Sequence, residues 1–248
     1  MKLIGIIPSR YASTRFPGKP LVNINGKSMI QRVYEQAKVV LNDVYVATDD
    51  NRIAEEVINF GGKVVMTSES HQSGTDRIAE AVNKIEKDNE KNYDIVINIQ
   101  GDEPFIQPEQ IKEIISCFEN KNTQIATLVK KIESNEEVFD INKPKVIFDK
   151  NMKAIYFSRS PIPFLRNIKK EEWHIQNDFY KHIGMYAYKK EILNELTNLK
   201  QSKLELSESL EQLRWIENDY KITVAITQFE SFGVDTPEDL EKIIKNNS

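Results

Sequence analysis

Four short apolar runs, Leu3–Ile7, Asp43–Thr48, Lys63–Met66 and Tyr93–Ile99, punctuate the first hundred residues. Between them apolar residues recur at helical spacing: Met29, Ile30, Val33 and Ala37; Ile53, Ala54, Val57 and Ile58; Ile78, Ala81, Val82 and Ile85. A continuous apolar run of four to seven residues is the mark of a strand covered on both faces. Strands alternating with amphipathic helices at this rhythm build right-handed βαβ crossovers. The expected fold is therefore α/β, a mostly parallel central sheet flanked by helices. Local signals place the helix ends. Gly61-Gly62 stops the second helix, Ser73-Gly74-Thr75-Asp76 reads as a capped start, and Pro108 opens a helix running to about Glu119.

Beyond residue 125 the pattern loosens. Ile125–Leu128, Val146–Phe148, Ala154–Phe157, Gly184–Tyr188 and Val224–Thr227 read as strands, and Ser209–Asn218 as a strong helix. No repeat or low-complexity linker interrupts the chain. The expectation is one domain over 1–248, with roughly 130–190 forming a smaller central lobe of mixed strands used for dimerisation and sugar binding. The apolar run at the N-terminus is too short for a signal peptide, and no stretch approaches a membrane span. With a single cysteine, Cys117, no intramolecular disulfide can form, so a cytoplasmic location is expected without membrane insertion. Cys117 itself reads as a buried apolar residue.

Net charge is −4, which argues against a nucleic-acid binder. Its distribution is more informative. Residues 1–34 hold Lys2, Arg10, Arg15, Lys19, Lys27 and Arg32 but no acid, where roughly five of the chain's 38 acids would fall by chance. These bases flank the long loop after the first strand. In open parallel sheets, ligands bind beyond the carboxyl ends of the strands. Three polar segments fall there: Pro8 to Leu21, with two guanidiniums and an ammonium; Gln100-Gly101-Asp102-Glu103-Pro104 after the fourth strand; and Gly233-Val234-Asp235-Thr236-Pro237. Arginine forks and a lysine suit phosphate oxygens, and exposed carboxylates suit magnesium. Neither a Walker loop nor a dinucleotide fingerprint is present, since Leu21 stands where the first Walker glycine would be and no Gly-x-Gly-x-x-Gly occurs. Thr236-Pro237 reads as a helix cap and first turn; capping by Thr236 and metal binding by Asp235 use different residues and can both hold.

The blocks PSRYASTRFPGKPL, HQSGTDRIAEAV, NIQGDEP, AIYFSRSPIP, HIGMYAY, SLEQLRWIE and GVDTPEDL, from residue 8 to residue 240, resemble in order those of the 3-deoxy-manno-octulosonate (Kdo) cytidylyltransferase family, also called CMP-Kdo synthetases. The first block is shared loosely with other sugar nucleotidyltransferases; the combination is far more specific. Ser9 departs from the family's usual alanine. The resemblance implies the nucleotide-diphospho-sugar transferase fold, a homodimer, Mg²⁺ as cofactor, and CTP and Kdo as substrates in lipopolysaccharide assembly. It implies Arg10, Arg15 and Lys19 as triphosphate ligands, with Arg10 and Lys19 also catalytic, and Gly74 and Arg77 in the nucleotide pocket. Asp102 and Asp235 become the catalytic metal ligands. Gln100, Arg159, His182, Tyr186, Glu211 and Gln212 become the sugar-acid site. Arg159 could meet a carboxylate, and Glu211-Gln212 on the first half of a helix could meet hydroxyls. His182 could equally be an ordinary hydrogen-bonded histidine. Arg214 and Trp215 read as structural. The expected reaction is attack of the anomeric hydroxyl on the α-phosphorus of CTP with loss of pyrophosphate. Transfer to 8-amino-Kdo or sialic acid, or a non-catalytic nucleotide-binding role, are the alternatives.

Overall fold

The computed structural model describes residues 1–12, 16–71 and 73–246. The chain divides into two compact units, Met1–Ile111 with Ser231–Ser248, and Lys112–Glu230.

In the first unit, β1 (Leu3–Ser9) leads through a hairpin of β2 (Asn23–Ile24) and β3 (Lys27–Ser28) into α1 (Met29–Val40). There follow β4 (Val44–Thr48), α2 (Asn51–Asn59), β5 (Val64–Met66), α3 (Gly74–Asn89), β6 (Ile95–Asn98) and α4 (Pro108–Ser116), which runs on into the second unit. The strands lie in the order β6-β1-β4-β5, all parallel. Ile4, Ile6, Val46, Val96 and Ile97 are fully buried, as a sheet covered on both faces requires. Serines and an aspartate set the helix starts: Ser28, Asp50 and Ser73 accept from backbone N–H groups of the first turns of α1, α2 and α3. The chain leaves β1 towards β4 and β5, then returns to add β6 on β1's other side. The β1/β6 boundary is thus a topological switch point, where a crevice opens beyond the strand ends.

The second unit holds β7 (Ile125–Lys131), α5 (Asn135–Phe139), β8 (Lys145–Phe148), β9 (Ala154–Ser158), α6 (Trp173–Gln176) and β10 (Tyr180–Lys189). It continues with α7 (Lys190–Leu196), α8 (Lys203–Glu208), α9 (Gln212–Glu217) and β11 (Ile222–Ile226). β7 pairs antiparallel with β10 and parallel with β11, while β8 and β9 form an antiparallel pair joined to β10. This is the mixed sheet expected of the region. The helix expected over Ser209–Asn218 forms over a shorter span, Gln212–Glu217. Ser209 adopts φ 51° as the left-handed C-cap of α8, and the next helix begins only at Gln212. At this end of α8 the Glu208 carboxylate accepts from the Ser158 hydroxyl at 2.6 Å and the Arg159 N–H at 2.9 Å. Cys117 is half-buried, and burial pushes its thiol up to about 11, so it is not a nucleophile. Among the described residues no helix is long and apolar enough to cross a membrane.

Candidate active site

A cavity of about 480 Å³ opens in the first unit beyond β1 and β6, bounded by Arg10, Lys19, Gly74, Gln100, Asp102 and Asp235 among others. A small apolar cluster builds its charged wall. Ile24, Met29 and Val234 are fully buried together, with Phe16, Phe105 and Leu240 packed against them. Each aromatic or aliphatic anchor lies within a few residues of a charged one: Phe16 before Lys19, Phe105 after Asp102, Val234 before Asp235. Burial of the anchors therefore delivers three remote charges to one place. Val234 N–H donates to the Asp102 carbonyl at 2.9 Å, locking the two acidic segments side by side.

The result is a cationic bridge. The Lys19 ammonium donates to Asp102 Oδ2 at 2.7 Å, to the Val234 carbonyl at 3.0 Å and to Asp235 Oδ1 at 3.3 Å. The two carboxylate oxygens are therefore no more than 6.0 Å apart, the sum of their distances to the shared nitrogen. Two carboxylates outnumber one ammonium, so the wall stays net negative and can accept a further cation. Its donors are hard oxygens, and among the described residues no third His, Cys, Asp or Glu joins them. That composition fits Mg²⁺, which takes one or two carboxylates and completes its shell with water and substrate phosphate. The C-terminal helix Pro237–Asn246 is capped independently: Thr236 Oγ1 accepts from Asp239 N–H, and Asp239 accepts from Thr236 N–H. These cap bonds run between Thr236 and Asp239, while the Asp235 carboxylate accepts from Lys19.

Two glycines shape the crevice. Gly18 has φ 72°, and a Cβ there would stand 3.1 Å from the Tyr11 ring. At Gly101 a Cβ would stand 3.0 Å from the Pro8 carbonyl, so this glycine permits close approach of the β1 and β6 ends. Arg10 is exposed at the cavity edge. Arg15 lies outside the described residues. Gly74, at the start of α3, faces open space, its nearest neighbour being Pro8. Arg77 also lines the cavity, but is only 1% exposed and gives its terminal nitrogens to Asp49 at 2.5 Å and Thr67 at 2.6 Å. Glu103 is buried, and that burial, reinforced by the charge of Asp102, raises its pKa to about 7. Neither Asp49 nor Glu103 was singled out from sequence. Glu103 sat inside a quoted motif, but only tertiary burial distinguishes it.

Of the other sequence-derived positions, Gln100 lies in the first unit, and Arg159, His182, Tyr186, Glu211 and Gln212 lie in the second. Within the second unit His182 and Tyr186 meet. Four residues apart on a regular strand they would stand about 13 Å from each other. The irregularity between Ile183 and Tyr186 in β10 shortens this, and their ring centroids are 5.2 Å apart. Thr127 pins the bulge, donating to the Met185 carbonyl at 2.8 Å and standing 3.0 Å from His182 Nε2. With its proton so used, the Thr127 oxygen accepts from Nε2–H, leaving Nδ1 as the acceptor of a neutral ring. Burial lowers the His182 pKa to about 3 and raises that of Tyr186 well above its usual range. Tyr186 packs edge-on against Trp215, and the charge of Glu211 is felt at its hydroxyl. The Arg159 guanidinium is held by three backbone carbonyls, of Glu208, Ile141 and Ser209. Arg214 is structural as expected, its guanidinium paired with the buried Glu205.

Comparison with known proteins decides the family. Residues 4–222 match the cytidylyltransferase family. The chain is 60% identical over 248 residues to the 3-deoxy-manno-octulosonate cytidylyltransferase of Parabacteroides distasonis, covering 98% of this chain and 97% of the relative. The chain belongs to the 3-deoxy-manno-octulosonate cytidylyltransferase family. The family member from Bacteroides thetaiotaomicron is 58% identical over the full length of both chains. A solved CMP:2-keto-3-deoxy-manno-octonic acid synthetase, complexed with CTP, superposes with a TM-score of 0.91 at 40% identity, covering 100% of this chain and 98% of the other. The α/β fold with a mostly parallel central sheet is that of these cytidylyltransferases.

Proposed function

We propose that the protein transfers CMP from CTP to the anomeric hydroxyl of Kdo, releasing pyrophosphate and activating Kdo for lipopolysaccharide assembly. The observation that carries this reading is the Lys19 bridge between Asp102 and Asp235 at the wall of the crevice, in a chain of this family. Both substrates are anions, so their approach needs positive charge. Lys19 and Arg10, which line the crevice, are assigned to offset the triphosphate and the departing pyrophosphate, and Arg15 is assigned the same task. Mg²⁺ would be held by Asp102 and Asp235, where it supplies charge neutralisation at the phosphates and acidifies the attacking hydroxyl. In the second unit, Arg159 offers a cation for the sugar carboxylate. Neutral His182, Tyr186, Glu211 and Gln212 offer acceptors and donors for hydroxyls, and Gln100 completes the assigned set. Positioning and electrostatics then carry the reaction, as in other transfers at phosphorus.

We assign the chain as a single nucleotidyltransferase domain, working as a cytoplasmic homodimer, with roughly 130–190 serving dimerisation and sugar binding. The test is pyrophosphate release by purified protein with Mg²⁺, each of the four nucleoside triphosphates, and Kdo, 8-amino-Kdo or sialic acid. Turnover confined to CTP and strongest with Kdo is expected; release that ignores the nucleotide, or prefers sialic acid, overturns the assignment.

A further inference from the structure

Two donors in one neighbourhood of the second unit are buried with no hydrogen-bond partner among the described residues: Gln212 Nε2 and Trp215 Nε1. Tyr186 is 7%, Gln212 5% and Trp215 1% exposed. Gln212 and Trp215 stand three apart on α9, hence on one side of it, and the Trp215 ring lies edge-on to Tyr186 at 5.0 Å. Buried donors are almost always paired in native proteins, and each orphan carries a desolvation cost. An isolated orphan is a local imperfection. Two donors on one side of a single short helix call for an acceptor that the second unit does not itself supply.

The donor types define that group. An indole N–H can only donate and the Gln212 Nε2 is likewise a donor, so the incoming molecule must present acceptor oxygens. Nearby, the charge of Glu211 is felt at Tyr186, and the Nδ1 of His182 can accept a hydroxyl proton. A polyhydroxylated acid meets both conditions. We infer that the Trp215 indole N–H donates to an oxygen of the bound sugar acid, making Trp215 a specificity-determining residue in addition to the five assigned in the second unit. This rests on the reading that this neighbourhood is the sugar-acid side of the reaction.

Trp215→Phe removes the N–H while keeping most of the ring. It is expected to raise the KM for Kdo roughly 5- to 10-fold, the loss of one hydrogen bond, with the KM for CTP unmoved. A second measurement needs no variant in the working enzyme. In protein labelled with ¹⁵N-tryptophan, two indole resonances are present, from Trp173 and Trp215, and Trp173→Phe assigns them. Adding Kdo without CTP should shift the Trp215 indole resonance and leave that of Trp173 in place. Tyr186→Phe and Gln212→Ala are run alongside. If these raise the KM for Kdo while Trp215→Phe does not and the indole signal stays fixed, the inference fails and the sugar-site reading stands. If none of the three variants responds to Kdo and no resonance moves, both fall together.

Discussion

Replacing Asp102 and Asp235 by asparagine, singly and together, tests whether the two carboxylates act as one site. Each change keeps side-chain shape and removes one negative charge. The structural cost is small. Lys19 is 15% exposed, Asp102 31% and Asp235 47%, and ion pairs this open to water contribute about 1 kcal/mol or less to folding. The melting temperature should therefore shift by a few degrees at most. Turnover is a different matter. Loss of one preorganised charge-stabilising group costs about 10²–10³ in rate, or about 2.7–4 kcal/mol of barrier. Were the two aspartates independent, the double variant would lose about 10⁴–10⁶, because effects at independent sites add as free energies. Their oxygens lie no more than 6.0 Å apart across one ammonium, so they should act as a unit. The double variant is then expected to lose little more than the worse single one, about 10³. Pyrophosphate release at matched Mg²⁺, with thermal melts on the same preparations, measures both quantities. Full additivity, or wild-type turnover in either single variant, refutes the shared-site reasoning.

Gly18→Ala forces a side chain into left-handed backbone against the Tyr11 ring; a loss of about 1–2 kcal/mol in unfolding free energy is expected, together with a raised KM for CTP as Lys19 is displaced. An unchanged melt and unchanged KM would show that the turn is not under this constraint. Although burial opposes it, bonds from Lys84, Ser68 N–H and His71 lower the Glu80 pKa to about 2. Its unfolded value is near 4.5, so this stability is present above about pH 5 and is lost as pH falls towards 2. Solvent screening at this largely surface group limits the effect, so urea unfolding across pH 2.5–5.5 should show a loss of about 1 kcal/mol from it, absent in Glu80→Gln; parallel curves for the two proteins would contradict it. His182, neutral with a pKa lowered to about 3 by burial, contributes no limb to the pH–rate profile between pH 5.5 and 8.5. An acidic limb near pH 6.5 that disappears in His182→Asn would show that the ring is instead solvated.

Much of the first unit was legible because its signals are local. The strand runs, the caps at Ser73 and Thr236 and the glycine stops depend on residues a few positions apart, and the observed elements follow them within a residue or two. The helix expected over Ser209–Asn218 is present, but it starts at Gln212 rather than Ser209. Its apolar spacing is helical, and just before it Glu208 is bonded to Ser158 and Arg159, some fifty residues earlier. Periodicity carries no record of such a partner. Similarly, the expected strand Gly184–Tyr188 is the far half of a ten-residue β10 whose irregularity no local pattern announces.

By itself, the sequence determined the layered α/β plan, the acid-free cationic opening and the identity of the chemical groups, since these are matters of residue type, order and short-range spacing. Whether Lys19, Asp102 and Asp235 meet was decided only by tertiary structure. Nothing between residues 19, 102 and 235 is local, and it is the shared burial of Phe16, Phe105 and Val234 in one apolar cluster that brings them to a common nitrogen. The orphaned donors around Trp215 belong to the same class of fact: a residue's type says what it can donate, and only packing shows that nothing in the protein is there to accept.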